Sequence, residues 1–325
     1  MPVRPGEGDS IEQVVAALAE GLTARGHEVT LYATGDSVTS AELRWLYPRG
    51  YDEDDELWDW QLRESLHAAY ALARADEHDV VHAHDYHFAV PFSEFVSTPL
   101  VTTHHTELSP ELVDAYASRP ELEVVAISGY QRDCLGDRVG APVIHHGIDV
   151  ASFPFDPDGG EHLLFLGRMI ADKGPAEAIR IARAAGRPLV LAGPAEEGYD
   201  VTAEPGVDGE TVRYAGRVDA AERNRLLAGA AALLFPLVYP EPFGLVLVEA
   251  MACGTPVLAT QLGAAPEIVE DGVTGYTAST PEELAALVPA ATALDRAAIR
   301  RVAERRFDVA RMVDEHEALY RRLAA

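Results

Sequence analysis

At 325 residues, 48% of them hydrophobic, the chain is long enough to bury two cores of ordinary size. Its formal net charge of −27 disfavours nucleic acid and anionic membrane surfaces, both of which are bound through cation contacts. No run of about 18 apolar residues is free of Pro, Gly and charge, so no membrane-spanning helix is expected, and MPVRPGEGDS lacks the apolar centre of a signal peptide.

Ile11, Val14, Val15, Leu18 and Leu22 recur at helical spacing and predict an amphipathic helix over 11–25, followed by a strand over 27–33. The acidic stretch 51–60 reads as a solvated loop or a helix start rather than a metal site. A helix over 61–76 and a short buried strand over 79–83 come next. Strands near 99–103, 122–127 and 141–145 then alternate with helices near 86–95, 109–118 and 128–137. Such alternation with short connections predicts an α/β fold with a parallel sheet. A domain of this kind should open on a buried strand. Only about ten polar residues precede Ile11, so the first strand is expected to be missing.

The Pro/Asp/Gly-rich stretch 153–161 is the candidate interdomain linker, and the alternation restarts at 162–167. Further strands fall near 188–192, 211–214, 231–235, 255–259 and 274–277. The expected domains are therefore 1–153 and 154–307, with a final helix over 308–325. Cys134 and Cys253 lie far apart in helical patterns and read as reduced core thiols of a cytoplasmic protein.

The most informative stretch runs from Leu234 to Thr260. Glu241 and Glu249 flank a Pro-Phe-Gly turn, and an apolar helix is expected to open at Gly244. A helix N-terminus offers free amides and the positive end of a dipole, which suits an anion. Glu249 would then sit about 7 Å inside the helix, where its carboxylate accepts hydrogen bonds from hydroxyls rather than from phosphate. The ligand so implied carries hydroxyls on both sides of a phosphate. The competing possibility is a buried helix in which Glu249 is merely paired. Earlier in the same half, Gly167–Gly174 joins a strand to a helix and carries Arg168 and Lys173. Loops at the carboxyl ends of parallel strands bind ligands, and an Arg fork with a Lys point charge suits a diphosphate. Lys173 is the one lysine among 26 basic residues, a bias that fits a GC-rich genome or a high-salt host. Two solvated loop cations would be the alternative.

His82, His84 and His87 with Asp85 admit three readings: a metal cluster, a packed hydrogen-bonded set, or a sugar contact through His84. The pairs His104-His105 and His145-His146 also fall at strand ends. The chain has no GxSxG, no Walker loop and no CxxC, so hydrolase, P-loop and zinc-ribbon chemistry lack support.

These residues resemble the retaining family 4 glycosyltransferases of GT-B fold, along nearly the whole chain. The resemblance is carried by 25–31, 81–85, 126–128 and 146–149, and by the GlyArg…LysGly loop 167–174, the 241–257 stretch and 266–269. It implies two Rossmann-like domains facing across a cleft, and transfer of a sugar from a nucleotide-diphosphate sugar to an acceptor hydroxyl without a metal cofactor. The acceptor would be a small molecule, a glycan or a lipid-linked alcohol. By resemblance, Arg168 and Lys173 hold the diphosphate beside Gly167, and Glu249 binds the ribose. Glu241 with Phe243, Gly244 and Leu245 grips the sugar and the distal phosphate, and His84 contacts the sugar near its C6 hydroxyl. Gly216, Arg217 and Val218 lie beside the base. Two departures stand out: Asp9-Ser10 replaces the usual Gly-Gly loop, and His146 stands where Asn is commoner. They keep open a nucleotide-sugar-binding protein that has lost catalysis, or an epimerase or phosphorylase of the same fold.

Overall fold

The computed structural model describes residues 2–5, 10–50 and 59–325. Asp9 and most of the acidic stretch, 51–58, lie outside the described residues. The chain divides into two units, Met1–Gly147 with Val309–Ala325, and Ile148–Asp308.

The first unit opens with α1 (Ser10–Ala24), which buries Val14, Leu18 and Leu22 along the stripe read from the sequence. Two short strands follow, β1 (Thr30–Tyr32) and β2 (Glu42–Arg44), paired in parallel. β2 was not expected, because Glu42 and Arg44 give it no apolar pattern. Next come α2 (Trp60–Leu72), N-capped by Asp59, and β3 (Val81–Ala83), β4 (Leu100–Thr103), α3 (Pro110–Ala117), β5 (Leu122–Val125) and α4 (Gly129–Leu135). β3, β4 and β5 form a second parallel sheet.

Two expected elements are corrected. The helix at 86–95 is instead a turn followed by a 3-10 segment, Val90–Phe95. Tyr86 has φ of +60°, in the left-handed region that breaks a right-handed helix, and Pro91 follows. The strand at 141–145 shrinks to one parallel bridge between Ala126 and Val143, because Pro142 has no N–H to extend the ladder.

The two sheets of this unit are separated by a cavity of about 1210 Å³, lined by α1, β1, α2 and β3 and by the C-terminal helix. Among the described residues β1 pairs only with β2, and β3 only with β4.

In the second unit, β6 (Leu163–Leu166), α5 (Pro175–Ala185), β7 (Leu189–Ala192), β8 (Val212–Tyr214), α6 (Ala220–Ala228), β9 (Ala232–Phe235), α7 (Leu245–Ala252), β10 (Val257–Thr260), α8 (Ala265–Ile268), β11 (Gly275–Ala278), α9 (Pro281–Ala291) and α10 (Arg296–Phe307) follow in order. The six strands are parallel, in the order β11-β10-β9-β6-β7-β8. Continuous apolar strands such as Leu163–Leu166 and Ala232–Phe235 are what a sheet covered on both faces requires. Leu163, Phe165, Leu189, Leu191 and Leu234 pack with Ile179, Ile181 and Leu284 of α5 and α9. α7 packs on α10 and against β9 and β10. The strand order reverses where β6 meets β9, and such a switch point leaves room for ligands at the carboxyl ends of the strands.

The stretch 153–161 is fastened to this second unit. Arg296 donates to the carbonyls of Asp156 (2.6 Å), Ala228 (2.7 Å) and Ala230 (2.9 Å), and Arg300 to those of Val150 (3.0 Å) and Phe153 (3.0 Å). Finally α11 (Val309–Leu323) packs on α1 of the first unit, with Arg25 bridging to Asp314 (2.7 Å) and Glu317 (2.8 Å). A Cβ on Gly21 would lie 2.5 Å from Val313, so this approach needs the glycine. Both cysteines are free: Cys253 is buried as expected, whereas Cys134 is exposed on α4 and is not a core thiol. Among the described residues no helix is long and apolar enough to cross a membrane.

Candidate functional site

Three loops meet at the switch point of the second unit. The loop after β6 runs through Gly167 and Arg168 into a 3-10 turn, Ala171–Lys173, and then Gly174, which caps α5 with φ of +76°. A Cβ on Gly174 would lie 2.1 Å from the Pro236 carbonyl oxygen, so this loop is pressed against the one leaving β9. The Val238 amide donates to the Asp172 carbonyl (3.1 Å) and joins the two loops. The third loop, after β10, approaches as closely: a Cβ on Gly263 would lie 2.2 Å from the Glu241 carbonyl oxygen, and the Ala264 amide donates to that oxygen (2.9 Å). The backbone of Glu241 is thus held in place, and the Lys173 ammonium donates to its carboxylate. Both side chains keep about a quarter of their surface exposed, so the pair is reachable by a ligand.

α7 begins just beyond. Its N-cap is Gly244 in the left-handed conformation (φ +87°), with no side chain to cap the helix. The Leu247 amide donates to the Gly244 carbonyl (3.0 Å), but no side chain caps the amides that precede it, and a helix end of this kind suits an anion. Glu249 is buried inside α7, with Arg223 of α6 at 3.5 Å. Burial pushes the Glu249 carboxyl above its usual range, and Arg223 offsets only part of that. A partner for Glu249 thus exists, as the paired alternative read from the sequence requires, yet it does not compensate the burial.

The structure brings Lys173 and Glu241 together, but Arg168 pairs with Glu196 at 3.9 Å, both side chains 60% exposed. Gly216 lies at the end of β8, and its carbonyl accepts from the Gly193 amide (2.8 Å). Arg217 and Val218 continue that loop. A Cβ on Gly193 (φ +134°) would lie 1.9 Å from the Gly167 carbonyl oxygen. Gly167, Gly193 and Gly216 therefore form a row of closely approaching backbone across β6, β7 and β8. Sequence reasoning missed Gly193 and Arg223. The Gly193-Pro194 break directly after an apolar strand was a usable signal for the first; Arg223 sits in an ordinary polar helix and had none.

His84 belongs to the first unit, where the histidines form a hydrogen-bonded network. His84 Nδ1 lies 2.9 Å from His105 Nε2, and His105 Nδ1 lies 3.3 Å from His146 Nε2. His82 bonds Tyr320 Oη (2.6 Å) and Thr103 Oγ1 (2.8 Å), and packs on His84 at 4.0 Å between ring centres with the planes tilted by 37°. His316 of α11 stands 5.4 Å from His82. Burial depresses the basicity of all five, to about 3 for His146 and about 4 for His316. His87 is not part of this set; it is exposed and stacks on Phe88. Asp85 accepts from the Ala89 amide, and burial pushes its carboxyl up to about 7. Among the described residues no three His, Cys, Asp or Glu side chains are arranged to hold a metal ion.

Two parallel-sheet units, the second gathering its polar loops at a switch point, make up the architecture of a GT-B glycosyltransferase. Residues 160–294 match the glycosyl transferases group 1, and residues 11–152 match Glycosyltransferase Family 4. AviGT4, a glycosyltransferase involved in Avilamycin A biosynthesis, is 30% identical in its crystal structure; the match covers 98% of this chain and 91% of that one at a TM-score of 0.72. Anabaena HepE in complex with UDP is 22% identical over 98% and 99% of the two chains and shares the fold at a TM-score of 0.76. Glycogen synthase of Mycobacterium tuberculosis is 33% identical over 246 residues, and the match spans 65% of this chain but 59% of that protein's length. The chain belongs to the family 4 glycosyltransferases.

Proposed function

We propose that the protein is a retaining glycosyltransferase that moves a sugar from a nucleotide-diphosphate sugar to an acceptor hydroxyl. The observation that carries this is the Lys173–Glu241 pair beside the open N-terminus of α7, with Glu249 buried in the same helix. Lys173, Arg168 and the amides of Phe243, Gly244 and Leu245 hold the diphosphate. Glu249 accepts from the ribose hydroxyls, Glu241 grips the sugar, and the Gly216–Val218 loop lies beside the base. His84 contacts a sugar hydroxyl. In the chemical step the acceptor oxygen bonds the anomeric carbon as the bond to phosphate breaks, and the departing phosphate takes the acceptor proton. Catalysis is then charge stabilisation of the leaving diphosphate plus positioning, with no metal required. The acceptor is a small molecule, a glycan or a lipid-linked alcohol, and the compartment is the cytoplasm.

Nucleoside diphosphate release from UDP-, GDP-, ADP- and TDP-sugars, with and without acceptor alcohols, tests this. Release that depends on acceptor and is lost in Lys173→Ala supports transfer; unchanged release in that variant refutes the assigned role. A second reading, binding of a nucleotide sugar without transfer, is favoured by the cavity between the two small sheets of the first unit, on the side that contributes His84. Tight nucleotide binding with no turnover on any acceptor selects it.

A further inference from the structure

The two bonds that link His84, His105 and His146 constrain one another. A neutral imidazole donates through one nitrogen and accepts through the other. If His84 Nδ1 carries the proton, His105 Nε2 must accept, so His105 carries its proton on Nδ1 and donates to His146 Nε2. If instead His146 Nε2 carries the proton, each link reverses, and His84 ends with its proton on Nε2. Only these two orders satisfy both bonds, and in each of them all three rings share one tautomer.

We infer that His105 and His146 are positioning residues for His84, and that the chain of three imidazoles switches as a unit to set whether His84 Nε2 donates to or accepts from a sugar hydroxyl. Among the described residues Nδ1 is the nitrogen of His84 that bonds protein, which leaves Nε2 for a ligand. Burial supports the neutral forms that the chain requires, since all three imidazoles are less basic than free histidine. The rings are also fixed in place: His105 and His146 stack at 5.1 Å with planes 18° apart, and His84 is packed on His82. Coupled hydrogen bonds of this kind polarise one another, so a change at His146 reaches His84 without contact between them. This inference rests on the proposed sugar contact of His84.

Nitrogen-15 spectra of the imidazoles in the full chain test it without any donor. Wild-type His84, His105 and His146 should report one common tautomer. His146→Phe keeps a ring but removes both nitrogens, and should leave His105 and His84 with mixed tautomers while the His82 and His316 signals stay put. His146→Gln places an amide that can turn to serve either order, and should restore the single tautomer. In turnover, His146→Phe should lower kcat/KM about 5-fold, the worth of about one hydrogen bond, with His146→Gln near wild type. Different tautomers among the three wild-type rings, or an unchanged His84 spectrum in His146→Phe, would overturn the inference; the wild-type spectrum decides even where His146→Phe does not fold. Because the spectra need no nucleotide sugar, their failure is separate from failure of the functional proposal, which absent nucleotide release in wild type would report.

Discussion

Replacing Glu249 by Gln should stabilise the protein and weaken nucleotide binding at once. The Glu249 side chain is 9% exposed, and its ion-pair partner, Arg223, is 3.5 Å away with 19% of its own side chain exposed. Desolvation is the larger influence and raises the pKa; the attraction to Arg223 is the smaller. A carboxyl whose folded pKa lies above the unfolded value stabilises the fold below that unfolded value and loses the contribution as pH rises. At neutral pH the buried charge is therefore a net cost. Glutamine keeps the shape without the charge, and Arg223 can turn to water. Removing one partner of a buried pair usually destabilises because the other charge is left behind. Here Arg223 is part-exposed and can be rehydrated, so relief of the buried carboxylate should prevail by up to about 1 kcal/mol, roughly 2–4 °C in Tm for a unit of this size. Binding moves the other way. A charged acceptor contributes about 1.5–3 kcal/mol per hydrogen bond, so losing it should weaken the nucleotide about 10- to 150-fold. Differential scanning fluorimetry and calorimetric titration of the same variant measure both. A fall in Tm with unchanged affinity would refute the reasoning, because Glu249 would then be a structural ion pair.

The Lys173–Glu241 pair is part-exposed, so Lys173→Ala should cost less than about 1 kcal/mol of stability while abolishing turnover; unfolding curves and nucleotide release check the two separately. Gly263→Ala forces a Cβ against the Glu241 backbone at φ of +59°, and should destabilise by roughly 2–4 kcal/mol and impair donor binding, read by denaturant unfolding and titration. The buried histidines predict acid sensitivity of the first unit. Their folded pKa values lie below the unfolded value of about 6.5, so stability is full above that value and falls as pH drops toward about 4 for His316 and about 3 for His146. His82, His84 and His105 are shifted in the same direction, so protonating this cluster works against the fold and an acid transition of this unit above pH 4 is expected. All three tryptophans lie in the first 60 residues, so their fluorescence reports this unit; no transition above pH 4 would contradict the prediction.

The second unit was legible because its strands are continuous apolar runs and its loops carry glycines at fixed places. The loop from Gly167 to Gly174 and the helix opening at Gly244 fall where periodicity and turn chemistry put them. What the sequence could not carry were through-space partners. Nothing marked Arg223 as the cation beside Glu249, and nothing in His105 or His146 announced that they link in line to His84. In the first unit local rules misled more often. β2 is too short and polar to register, and the segment 86–95 looks helical until Tyr86 turns left-handed and Pro91 follows. Histidine clusters invite metal readings, yet His84, His105 and His146 bond one another in line, which periodicity does not reveal.

The most direct measurement is the stabilisation of the wild-type chain and of Lys173→Ala by a panel of nucleotide-diphosphate sugars, because a ligand that binds only the folded state raises Tm by an amount that grows with the logarithm of its concentration over Kd. At least one nucleotide sugar should raise the wild-type Tm, and the same ligand should do so weakly or not at all for Lys173→Ala. A panel in which no nucleotide sugar shifts the wild type, or in which both proteins shift equally, would contradict the assignment of this loop and helix end as the donor site.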